Sequence, residues 1–199
     1  MSEIHRQSLF GKLNPLLFKS LESATVFCKL RGNPYVELVH WINQLLQEQD
    51  SDMERLLHHF AIDRSRLAAD VVRRLDLLPR GATSISDFSE HIETSIERGW
   101  VYATLMFNES QIRSAYWLSG MLRTRSLMNE LRSISREFEK LGEPAFSDSF
   151  DRLLPASPEA KLLAADGSGG VWQDPVQLIP HGMNGDPEGF VAAILAVAP

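Results

Sequence analysis

The chain has 199 residues, 44% hydrophobic and 23% charged, with a formal net charge of -6 and one cysteine. This is a globular composition, long enough for one medium domain or two small ones with a real core, and the lone Cys28 excludes an internal disulfide or a cysteine-based zinc site and fits a reducing, cytoplasmic setting. The longest uncharged apolar stretch, Phe190 to Ala198, is far short of a bilayer span, the N-terminal MSEIHRQ lacks an apolar signal core, and a pI near 5.5 argues against a dedicated nucleic-acid binder.

In chain order, Asn14-Pro15 opens a periodic run with Leu17, Leu21, Ala24 and Cys28 on one face. Asn is a good N-cap and Pro suits the first helical position; Gly32 then stands where a C-terminal stop belongs. Asn33-Pro34 repeats the start signal ahead of Val36, His40, Trp41 and Leu45, and shorter helices are predicted at 52–60 and 63–77, the second capped by Asp63. Leu78-Pro79-Arg80-Gly81 breaks the pattern. Ser86 is a candidate cap for a helix through Ile92, Ile96, Gly99, Trp100 and Ala103, and a further helix from about Ser110 to Arg123 carries Ile112, Tyr116, Trp117 and Met121.

The second half echoes the first. Leu21, Ala24, Thr25 and Cys28 match Ile96, Gly99, Trp100 and Ala103 at an offset of 75, and Val36, His40, Trp41 and Leu45 match Ile112, Tyr116, Trp117 and Met121 at 76. Met53, Leu57 and Phe60 match Leu127, Leu131 and Ile134 at 74. Near-constant offsets over three helices predict a tandem repeat of one four-helix unit, at about 14–78 and 86–154.

Composition changes beyond residue 155. Residues 156–199 carry 1 basic and 5 acidic groups, six of the twelve glycines and five of the ten prolines. The expected organisation is therefore a folded domain over 1–155, a flexible linker over 156–170 and a tail over 171–199. That tail reads either as a linker remnant or an appended, non-native end, as a helix docking on the domain, or as a tethered segment filling a groove, since Asp186-Pro187-Glu188 is a good helix start before an apolar run.

Chemistry-bearing residues do not assemble into a site. His58-His59 are adjacent, about 100° apart on a helix, and cannot act as an i, i+4 metal pair; one partly buried and one solvated is the simpler expectation. His40 reads as a hydrogen-bonded core histidine, and Trp41, Trp100 and Trp117 as core. Glu90, Glu93 and Glu97 read as a solvated helix face, and Ser168 lacks the spacing of a nucleophile elbow. No cofactor and no metal are expected.

Several strings resemble a known family. Phe10-Gly-Lys-Leu-Asn-Pro15, the run Leu21 to Trp41, Leu78-Pro-Arg-Gly-Ala-Thr-Ser-Ile-Ser-Asp-Phe88 and Glu97-Arg-Gly-Trp-Val-Tyr-Ala103 are similar to the N-terminal domain of ClpV, the AAA+ unfoldase of bacterial type VI secretion, over about residues 6–155. The resemblance implies an all-α Clp N-domain, two tandem pseudo-twofold four-helix repeats plus an extra short N-terminal helix, here from Arg6 to Leu13. It implies recognition of an N-terminal helix of the larger sheath subunit of a contracted type VI sheath, in a hydrophobic groove, so that the ATPase ring can disassemble and recycle the sheath. A general Clp N-domain for adaptors or unfolded substrates is the alternative, and a free-standing helical enzyme the reading from another class.

On the location of the family's groove, the candidate peptide-binding residues are Leu9, Phe10, Leu13, Leu16, Leu17, Ile85 and Phe88. About half of the first five are expected to pack the extra helix onto the repeat instead, and Phe88 has an alternative role as a staple at the helix entry. G-x-x-x-x-G-K-[ST] does not occur: Gly11-Lys12 is followed by Leu13 and has Arg6 where the first glycine belongs. The chain is thus expected to be a non-catalytic domain of an AAA+ ATPase, monomeric when isolated and hexameric in the full-length protein, without nucleic-acid or membrane partners.

Overall fold

The computed structural model describes residues 6–142 and 145–165; the linker residues after 165 and the tail over 171–199 lie outside them. The order is α1 (Arg6–Phe10), α2 (Pro15–Arg31), β1 (Tyr35–Val36), α3 (Leu38–Leu45), α4 (Asp52–His59), α5 (Arg64–Asp76), β2 (Asp87–Phe88), α6 (Glu90–Phe107), α7 (Ser114–Leu122), α8 (Arg125–Ile134), a 3-10 turn (Arg136–Lys140), α9 (Ala145–Asp148), α10 (Phe150–Leu153) and α11 (Pro158–Ala165). Among the described residues the architecture is all-α, as expected, with one two-residue strand pair. No helix among the described residues is long and apolar enough to cross a membrane.

The start of α2 follows its sequence signal: Asn14 Oδ1 accepts from the Leu17 N–H at 2.9 Å, and Pro15 occupies the first turn. Gly32, at φ 67°, closes the helix by donating to Lys29 O at 3.0 Å, a left-handed position that a side chain disfavours. The second start signal differs from expectation. Asn33-Pro34 leads into β1, and α3 begins only at Leu38, where the Glu37 N–H donates to His40 Nδ1 at 2.9 Å. Ser86 likewise precedes β2, and the cap of α6 is Ser89. The helix expected from Ser110 begins at Ser114, because Ile112 is taken up by a bridge to Leu13.

Those three shifts have one cause. β1 and β2 pair in parallel, Tyr35 with Asp87 and Val36 with Phe88, and Leu13 makes an isolated parallel bridge with Ile112. Leu13 and Phe88 are 75 apart and Val36 and Ile112 are 76 apart, so each repeat lends the residue before its long helix to the other repeat. The same symmetry runs through the core. Trp41 Nε1 donates to Ser20 Oγ at 2.8 Å, Trp117 Nε1 donates to Ser95 Oγ at 2.9 Å, and the two fully buried indoles meet at 4.4 Å between centroids. Burial of two such rings against each other, with both N–H groups satisfied, is the centre of the hydrophobic core.

Residues 156–165, expected as the beginning of a flexible linker, contain α11, and Glu159 within it is fully buried. The reason is polar rather than hydrophobic: its carboxylate accepts four hydrogen bonds from both repeats. Cys28 is a buried core residue, its Sγ 3.2 Å from Tyr35 O, and burial pushes its thiol up to about 12.

Candidate functional site

The extra N-terminal helix α1 lies against α6 and the end of β2. Phe10, fully buried, meets Phe88 at 5.2 Å between ring centroids with the planes 47° apart. Above this contact, Arg6 reaches over the Phe88 ring, 5.8 Å from its centroid, and pairs with Asp87 at 2.7 Å and with Glu93. The hydrogen bond to Asp87 is the first cause raising Arg6 above its ordinary range. Burial alone would raise Asp87, but the bonds from Arg6 and from the Phe88 N–H outweigh it and hold that carboxyl below its usual value.

Leu13 is fixed from both sides, since the Ile112 N–H donates to Lys12 O at 2.6 Å and the Asn14 N–H donates to Ile112 O at 3.0 Å. Lys12 Nζ stands 4.6 Å over the ring of Trp100, which is half-buried and so not wholly a core residue.

The seven candidate residues therefore divide. Phe10 and Leu17 are wholly buried, and Leu9, Leu13, Ile85 and Phe88 retain only a few per cent of exposure, at most the 8% of Leu9. Leu16 is half-buried and is the most accessible of the set. Phe10, Phe88 and Leu13 are brought together by α1 and the two bridges. The polar rim of Arg6, Asp87 and Glu93 was not singled out from sequence as part of this region. Its signal was present in Glu93, three residues after Glu90, but an acidic stripe on a helix carries no information about a partner 87 positions away.

Elsewhere the chemistry is structural. His40 is buried with Nε2 3.0 Å from Asn33 Oδ1, and desolvation, with the charge of Arg31, lowers it to about 4. Both His58 and His59 are exposed, against the expectation that one would be partly buried; His59 instead lies edge-on to Phe60 at 5.0 Å. Among the described residues no group of three or more His, Cys, Asp or Glu side chains is placed to hold a metal ion.

Glu159 forms the other polar centre. Burial is the first cause raising its carboxyl, the neighbouring Asp52 charge adds to it, and the bonds it accepts from Asp52 and Ser114 oppose them; the net direction is upward. Beside it Arg113 Nε donates to Asp52 Oδ2 at 2.7 Å, with both side chains buried.

No family model matches the chain. It is similar to the AAA+ ATPase ClpV1 of Pseudomonas aeruginosa, 56% identical over 167 residues, which is 84% of this chain and 18% of that protein. The chain thus spans under a fifth of the length of that relative. A solved structure from work on the ATPase ClpV, the TssB-TssC sheath and the accessory HsiE protein is 56% identical, with a TM-score of 0.76, covering 80% of this chain and 98% of that one. A complex of a ClpV N-domain with a VipB peptide has the same fold at 22% identity and a TM-score of 0.55, covering 74% of this chain and 95% of the other. High identity across a whole solved domain, joined to a repeat architecture that exchanges bridges between its halves, places the chain in the family of ClpV N-terminal domains.

Proposed function

We propose that this domain recognises a sheath subunit of a type VI secretion system by taking an N-terminal helix of the larger sheath protein into a hydrophobic groove beside α1. The groove is framed by Leu9, Phe10, Leu13, Leu16, Leu17, Ile85 and Phe88. Phe10 and Leu17 form its support, and the less buried members, Leu16 above all, form its contact edge. An amphipathic ligand helix would lay its apolar face there, gaining on the order of 25 cal/mol for each Å² of apolar surface removed from water. Recognition by this domain would hand the subunit to a hexameric ATPase ring for sheath disassembly. The domain itself supplies binding and no catalysis, and is monomeric when isolated.

The observation that carries this reading is the 56% identity to ClpV1, confined to 18% of that protein's length. The VipB peptide held by a ClpV N-domain of the same fold supports it.

The test is titration of a labelled peptide from the N-terminus of the larger sheath subunit. Leu16→Asp is the informative variant, because Leu13→Asp or Phe88→Arg would bury a charge in the bridges between repeats. Saturable binding by the unmodified chain, weakened about ten-fold or more by Leu16→Asp with helicity unchanged, is the expected result. Equal binding by both proteins would remove Leu16 from the groove. Failure to bind any sheath peptide, together with binding to a reduced, unfolded protein, would replace this reading by the general Clp alternative.

A further inference from the structure

Glu159 ties α11 to three helix starts at once. Its Oε1 accepts from Asn14 Nδ2 at 2.8 Å and from the Ser114 N–H at 2.6 Å. Its Oε2 accepts from the Asp52 N–H and from the Ser114 hydroxyl, both at 2.6 Å. Asn14 caps α2, Asp52 begins α4 and Ser114 begins α7, so the carboxylate lies where unsatisfied N–H groups of both repeats converge. Arg113 fastens the turn leading into α11, since its Nη2 donates to Leu154 O and to Ser157 Oγ, each at 2.9 Å. Ser157 Oγ in turn accepts from the Ala160 N–H at 3.0 Å.

This cluster adjoins the proposed groove through the backbone. Asn14 follows Leu13, and Arg113 and Ser114 follow Ile112, the two partners of the bridge that fixes one wall. The bridge bond from the Asn14 N–H to Ile112 O belongs to the same residue whose side chain Glu159 holds. Residues that only need capping would be served by one local side chain apiece. Here one distant carboxylate, on the last helix among the described residues, serves three elements.

We propose that α11 is a strap latched by Glu159, so that its docking orders the Leu13–Ile112 bridge and, through it, the adjoining wall of the groove. Glu159 is a positioning residue in this scheme and touches no ligand. The groove half of the proposal rests on the function proposed above; the latch half does not.

The test uses the full 199-residue chain as the unmodified protein, Glu159→Gln and Glu159→Ala, followed by amide hydrogen exchange. Gln keeps the shape but turns an NH2 toward donors, so it reports on the latch even where Ala fails to fold. Exchange is expected to accelerate about ten-fold or more in 157–165 and also at residues 12–14 and 112–116, with 64–76 unchanged. Acceleration confined to 157–165 would overturn the proposal by making α11 a passive appendage, and uniform acceleration would reduce Glu159 to a general stabiliser. In parallel, the sheath peptide is expected to bind Glu159→Gln about three- to ten-fold more weakly. Unaltered peptide binding by Glu159→Gln would break the coupling to the groove. Absence of binding by the unmodified chain would instead count against the proposed function, leaving exchange to decide the latch.

Discussion

In the first repeat His40 joins the Glu37 backbone to Asn33, while 76 positions on, in the second, Tyr116 donates to Glu109 at 3.4 Å beside Arg113. Around these divergent pairs the indole-to-serine bonds of Trp41 and Trp117 are the same in both repeats. The difference follows from what each repeat must hold. Asn33 Nδ2 also donates to Pro79 O at 2.6 Å, and Gly32 O accepts from the Ala82 N–H at 2.9 Å, so the first repeat fastens the connection between repeats. In the second, Arg113 fastens the turn before α11. The contact between repeats constrains their cores to match, whereas each polar edge is shaped by the segment that follows it.

The largest expected effect tests the matched part. Trp41→Ala and Trp117→Ala should each cost about 3–5 kcal/mol, because each removes a fully buried ring from the same central contact. Their sum should differ from the double variant, since the rings touch. Urea unfolding of the three proteins measures this, and one costly and one nearly neutral substitution would show that only one repeat carries the core.

The divergent pair predicts an acid dependence found in the first repeat alone. His40 titrates near 6.5 when unfolded and near 4 in the fold, so the unfolded chain binds more protons between those values. Stability from this group is complete above pH about 6.5 and falls, by about 3 kcal/mol in all, as the pH drops to about 4. Tyr116, raised to about 12 first by burial, contributes nothing in that window. His40→Tyr copies the second repeat, and subtracting its stability-against-pH curve from that of the unmodified chain isolates the histidine. A flat difference between pH 4 and 6.5 would refute the assignment.

The repeat was legible in the sequence because helical faces recur every three or four residues over long stretches, and Trp41 and Trp117 mark the register. The bridges were not, because two-residue strands have no period to read and Asn33-Pro34 is as good a helix start as Asn14-Pro15. Of the candidate groove, packing of the extra helix onto the first repeat by part of the Leu9–Leu17 stretch was an expectation from sequence, but the contact of Phe10 with Phe88 and the Arg6 clamp, which joins residues 81 positions apart, exist only through the fold. Glu159 was the hardest to see. It is one acidic residue in a segment whose glycine and proline content beyond residue 166 suggested a linker, and nothing local distinguishes a carboxylate that caps two helices and holds the cap of a third from one facing water.

The smallest effect concerns how closely the paired helices approach. Ala24 on α2 matches Gly99 on α6, yet a Cβ at Gly99 would lie 3.1 Å from Trp117 Cα and 3.1 Å from Ile112 Cγ2, so the methyl group that the first repeat carries would fit here only if its neighbours gave way by a few tenths of an ångström. Gly99→Ala gains up to about 1 kcal/mol of helix propensity and meets a packing penalty of about 1–3 kcal/mol against backbone that cannot rotate away. The net is a loss of about 1 kcal/mol, read as a lowered urea midpoint with an unchanged slope. Gly120→Ala, whose Cβ would stand 2.7 Å from the backbone carbon of Arg98, should cost more than Gly99→Ala on the same helix pair. If Gly99→Ala proved stabilising, α6 and α7 would have room to separate, and the closer approach in the second repeat would reflect only the residues present and not a constraint imposed by the bridge at Ile112.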